Sequence, residues 1–86
     1  MKTVPGKDKN LKKVSIKNKT VEGIEYRHVY GDGNVIRGNY LFIEGSNNTV
    51  EGEYNNVFGN HNLVRGNNNI ITGFDNTVIG KNNTKK

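Results

Sequence analysis

Residues 31–80 read GDGNVIR GNYLFIE GSNNTVE GEYNNVF GNHNLVR GNNNIIT GFDNTVI G, with glycine at 31, 38, 45, 52, 59, 66, 73 and 80. An unbroken short period of this kind marks a solenoid. The slot three after each glycine holds Asn34, Leu41, Asn48, Asn55, Asn62, Asn69, Asn76 and Asn83, so Leu41 alone departs from asparagine. The slot five after holds Ile36, Ile43, Val50, Val57, Val64, Ile71 and Val78, and then Lys85 where the pattern stops. A β-branched residue flanked by variable ones predicts a short strand with one buried face. Glycine supplies positive φ or room for close backbone approach at a corner. An inward Asn ties its amide to turn backbone, and stacked Asn amides are expected to bond one another along the axis.

A seven-residue unit is too short for a helical repeat or an independent hairpin, but it fits one side of a stacked coil. Such a side belongs either to a two-sided coil of 14 residues or to a triangular coil of 21. Outward charges favour the first. At a step of 14, Arg37, Glu51 and Arg65 form a column of alternating sign and Tyr40 lies under Tyr54. At 21, Arg37 meets Phe58 and Tyr40 meets His61. Opposite charges on neighbouring strands attract and like charges repel. The expected fold is therefore an all-β, parallel β-roll or β-solenoid of about 14 residues per coil, with residues 19–86 as the roll and 31–84 as its regular part. Upstream, Lys19 and Arg27 occupy the Asn slot of one irregular coil, and Val14 and Ile16 suggest a first strand or cap. Residues 1–18 are a basic N-terminal arm and possible cap.

The chain has 86 residues, no Cys, one Pro and 31% hydrophobic content, which is lean for a globular core. Small chains bury a low fraction of their surface, so a homo-oligomer, dimer or trimer, is expected. Phe42, Phe58 and Ile70 point outward on one sheet face and are the candidate interface, since a contiguous apolar patch marks contact. No apolar run approaches a membrane span and residues 1–20 lack a signal-peptide core. The expectation is an intracellular or particle-associated protein, a viral one included, with no membrane and no small-molecule substrate.

The charge is lopsided. Residues 1–20 carry Lys2, Lys7, Lys9, Lys12, Lys13, Lys17 and Lys19 against Asp8, whereas residues 21–86 carry one more acid than bases. A basic block beside a rigid roll points to DNA or RNA bound through counterion release. Catalysis is not expected. His28 and His61 are isolated and read as surface residues, and Asp32 and Asp75 are solitary corner residues that do not make a calcium-binding repeat. No phosphate loop, nucleophile elbow or paired-carboxylate motif is present, and no cofactor is implied.

The strings Asn48-Thr49-Val50-Glu51-Gly52 and Asn76-Thr77-Val78-Ile79-Gly80 resemble the x-x-N-x-V-x-G repeat of the grass ice-recrystallisation inhibitors, the ryegrass antifreeze type. That resemblance implies a left-handed β-roll with two strands per coil and an ice-binding function. A weaker similarity is to the head rolls of trimeric autotransporter adhesins, which implies trimerisation and a carbohydrate- or surface-binding fibre tip. The ice-binding rolls present a flat face of Thr, Ser and Val, and only Thr49, Thr72, Thr77 and Thr84 suit such a face here. Arg37, Glu44, Glu51, Arg65, Phe42 and Phe58 interrupt it. The reading that follows is a non-enzymatic oligomeric scaffold whose basic arms hold nucleic acid, with ice binding as the alternative.

Overall fold

The computed structural model describes residues 11–86. The heptad written above becomes one side of a flattened coil. Eleven short strands follow one another: β1 (Lys12–Ser15), β2 (Thr20–Glu25), β3 (Arg27–Tyr30), β4 (Val35–Asn39), β5 (Phe42–Glu44), β6 (Thr49–Glu51), β7 (Asn56–Asn60), β8 (Leu63–Arg65), β9 (Ile70–Phe74), β10 (Thr77–Ile79) and β11 (Thr84–Lys85). Odd strands form one parallel sheet in the order β1-β3-β5-β7-β9-β11, and even strands form a second, β10-β8-β6-β4-β2. Val50 pairs with Ile36 on one side and Val64 on the other, a step of 14 residues, so the coil is two-sided.

The first coil is one residue longer. Glu22 pairs with Arg37 but Ile24 pairs with Gly38, leaving Gly23 as a bulge at φ 71°. A bulge absorbs one extra residue without slipping the buried face. β1 pairs in register with β3. The roll therefore already includes Lys12–Ser15, within the segment expected to be arm or cap.

The inward slot of each strand builds the core. Val29, Ile36, Leu41, Ile43, Val50, Val57, Val64 and Ile71 are fully buried, with Val14, Ile16, Ile24 and Val78 packed against them. Each contributes about 1.5–3 kcal/mol relative to exposure. This core closes within one chain.

Buried asparagines clamp each coil to the one before it. Asn62 accepts the Asn48 backbone N–H at Oδ1, 2.9 Å, and donates its amide to the Gly45 carbonyl at 3.1 Å. Asn48, Asn55 and Asn69 repeat both contacts. The amides thus bond backbone and not one another, which corrects the ladder of amide–amide bonds expected from the sequence. The reason is geometric: the donor half of each amide is taken by a glycine carbonyl, and the carbonyl half by a main-chain N–H. Glycine has to be there. A Cβ on Gly59, where φ is 139°, would lie 1.7 Å from the Gly45 carbonyl oxygen.

Leu41 shows what the slot tolerates. It is fully buried, and its own N–H still donates to Asn55 Oδ1 at 3.0 Å.

Candidate functional site

Two outward faces and the first coil are the surfaces available for function. On the even sheet, Thr20, Val35, Thr49, Leu63 and Thr77 stand in one column, each in register with the next. The column is uncharged and carries only hydroxyl and aliphatic groups. Beside it runs Glu22, Arg37, Glu51, Arg65 and Ile79, also in register.

The charges in that second column are committed to one another. Arg37 bonds Glu22 through Nη1 and Glu51 through Nε, the latter at 2.6 Å, and Arg65 lies 3.7 Å from Glu51. The hydrogen bond from Arg37 holds the Glu51 carboxyl below its ordinary value, and the two carboxylates push the Arg37 guanidinium up. Four charges of alternating sign therefore lie along the edge of the face and cancel. The sequence identified the alternation but treated these side chains as breaks in a flat surface. Their axial pairing is visible only once the coil length is fixed.

The even face is also bordered by a regular ladder of rings. At one corner the rings of Tyr26, Tyr40 and Tyr54 stack at centroid spacings of 5.1 and 5.3 Å, with planes only 6° and 5° apart. At this corner successive coils thus repeat with little rotation of one ring against the next. Ordinary sheets twist by about 20–25° per strand, and flat ones are stabilised by side-chain ladders. The asparagine and tyrosine ladders supply that here.

The odd sheet is different in kind. Its outer side carries Phe42, Phe58 and Ile70, as expected, but these are not equally available. Phe42 is 3% exposed, Ile70 is half-buried and Phe58 is 38% exposed. Phe42 stacks on Phe58 at 5.3 Å and meets the His28 ring edge-on at 4.7 Å. His28, expected at the surface, is 1% exposed, with Nε2 2.6 Å from Glu44 Oε1 and its ring 4.2 Å from Tyr30. His28 stands in register with Phe42 at the regular step of 14, and it is enclosed by the Phe42 and Tyr30 rings and the Glu44 carboxylate. His61 does lie exposed at a corner, 3.8 Å from Asp75.

Of the seven lysines in the basic block, Lys2, Lys7 and Lys9 lie outside the described residues. Lys12 and Lys13 are on β1, and Lys17 and Lys19 follow in the turn that leads to β2; all four are exposed. Among the described residues, no group of three or more His, Cys, Asp or Glu is placed to hold a metal ion. No helix of the described chain is long and apolar enough to cross a membrane.

Over residues 2–86 the chain matches the family model described as grass antifreeze beta roll. The match takes in β1 and the basic block as well as the regular heptads. No curated protein and no solved structure matches the chain. The family is a non-enzymatic kind of protein, and the match favours the ice-surface reading over the nucleic-acid-binding or viral scaffold.

Proposed function

Because the chain belongs to the grass antifreeze β-roll family, we propose that it binds ice, and that it does so through the outer face of its even-stranded sheet. The observation that carries this reading is the column Thr20, Val35, Thr49, Leu63 and Thr77, held in register over five strands. Strands in a sheet repeat at about 4.7–4.9 Å, so hydroxyl and aliphatic groups recur at a fixed step on a surface with little twist. A crystal lattice is recognised by repetition of that sort. A rigid, preformed surface also loses little conformational entropy on binding.

The paired charges beside the column are compatible with adsorption. Each is balanced by an axial neighbour, so the face carries no net field at its edge. Charged side chains nevertheless hold water strongly, and a single column is narrow. The expected activity is therefore restraint of ice recrystallisation and faceting of slowly growing crystals, with little depression of the freezing point. Purified full-length protein at micromolar concentration is expected to keep polycrystalline ice fine-grained during annealing below 0 °C. Grain growth equal to that with an unrelated protein of the same size and concentration would overturn the proposal.

A further inference from the structure

We infer that the first described coil is a binding site for single-stranded nucleic acid, held through its phosphates without sequence preference. Charge is segregated along the roll. Residues 11–20 hold Lys12, Lys13, Lys17 and Lys19 and no acid, whereas residues 21–80 hold seven acids against Arg27, Arg37 and Arg65. All four lysines are exposed, and none forms an ion pair among the described residues. Of the carboxylates in this coil and the next, Glu22 is engaged by Arg37, Glu44 by His28 and Asp32 by the Ser46 backbone N–H, while exposed Glu25 stands at the opposite end of β2 from Lys19. The roll's own acids therefore leave most of this positive charge uncancelled.

The fold also fixes where these charges sit. Lys12 pairs with Arg27 at the start of β1, and the Lys19 N–H donates to Asn34 Oδ1, so Lys19 occupies the slot that is Asn in the regular coils. Two ladder positions are thereby converted from coil clamps into solvated cations. Lys12 and Lys13 lie on the odd sheet, Lys17 at the corner and Lys19 at the entry to the even sheet. The cations run around one coil from sheet to sheet. Such a path suits a flexible single strand. A duplex, stiff over about 150 base pairs, would touch one side of it. A lipid surface is disfavoured because Leu11, Val14 and Ile16 are half-buried and leave no apolar anchor to insert beside the lysines. Lysine offers point charges to phosphate and no fork for reading bases.

The test is fluorescence anisotropy of labelled single-stranded DNA with the full chain, using homopolymeric thymidine and a mixed sequence. Binding is expected at low salt, equal for the two sequences. With four phosphates neutralised, affinity is expected to fall roughly 50-fold over a fourfold rise in salt. The variant K12Q/K13Q/K17Q/K19Q is expected to lose at least about tenfold at low salt, while K81Q/K85Q/K86Q stays within about threefold. Circular dichroism checks that each variant folds. Should the quadruple variant fail to fold, K17Q and K19Q alone are each expected to reduce the salt slope by about 0.7. No anisotropy change with wild type at low salt would overturn the inference, as would equal loss in the two multiple variants. Binding to phosphatidylserine vesicles without binding to the oligonucleotides would overturn it in favour of a lipid surface.

Discussion

At the level of single residues, the fold rests on what each heptad slot must do for the coil beside it. The buried asparagine serves three neighbours at once: its own strand, the main-chain N–H of the previous coil and a glycine carbonyl. Asn62→Ala strands the Asn48 N–H and the Gly45 carbonyl in a dry interior. Leaving a buried group unpaired costs about 1–3 kcal/mol, so a loss of roughly 2–5 kcal/mol is expected in urea unfolding. The slot two after glycine carries a constraint that the letters alone concealed. Tyr40, Tyr54 and His61 have φ of 57°, 57° and 58°, in the left-handed region. Asn47, Asn68, Asp75 and Asn82 share it, and for them it is unsurprising. Bulky residues are rare there. The tyrosines are compensated by stacking, worth about 0.5–1.5 kcal/mol per pair; His61 has only a distant partner in Asp75. His61→Asn is therefore expected to raise the thermal midpoint and Tyr40→Asn, which breaks two stacks, to lower it. The opposite order in a melting experiment would contradict this assignment of strain.

Among the strands, legibility followed from repetition. Seven β-branched slots in succession and a glycine every seventh residue fixed the strand type and the solenoid, but a period of seven fits two sides or three. The alternating column at Arg37, Glu51 and Arg65 decided between two sides and three, and the ion pairs now stand where that argument put them. What could not be read was the packing around the irregular first coil. One extra residue at Gly23 puts Lys12–Ser15 and Thr20–Glu22 fifteen residues from their partners instead of fourteen, and the burial of His28 and Phe42 follows from neighbours no period announces. The ion-pair column yields a pH prediction. Because the folded state holds Glu51 below its ordinary value of 4.5, the unfolded chain takes up its proton first as pH falls. The stabilisation is thus present above that ordinary value and lost as pH drops through the lowered one. Glu51→Gln is expected to be less stable than wild type near neutrality, with the difference closing in acid. A gap in stability that persists unchanged at low pH would contradict the role given to the Arg37–Glu51 pair.

For the whole molecule, two expectations change weight. The lean composition suggested that oligomerisation would have to complete the core. The core instead closes within one chain, because the asparagine and backbone ladders stabilise it where apolar area is small. The patch of Phe42, Phe58 and Ile70 is also smaller than the sequence implied, because Phe42 is buried. With Phe42 covered, Phe58 and half-buried Ile70 remain of that patch, joined on the odd sheet by exposed Phe74 at the end of β9, and burying three such side chains contributes at most about 4.5–9 kcal/mol. Association costs an estimated 4–15 kcal/mol in lost motion, so a monomer is expected by light scattering at micromolar concentration. A dimer or trimer mass would restore the odd face as an interface between copies. The function was the least legible part of the chain. The residues that suit an ice-facing surface are ordinary threonines and aliphatics, and only their alignment in one column gives them meaning. Arginine and glutamate beside them argued against such a face until their pairing was seen.

The most direct measurement of the central claim is partition of labelled protein into a slowly grown ice hemisphere, comparing two substitutions of the same kind on opposite faces. Leu63→Lys puts an unpaired charge in the middle of the even-sheet column; Thr72→Lys puts one on the odd sheet. Wild type and Thr72→Lys are expected to enter the ice, and Leu63→Lys to be excluded while retaining its fold by circular dichroism. Exclusion of wild type, or entry of Leu63→Lys at the wild-type level, would contradict the account.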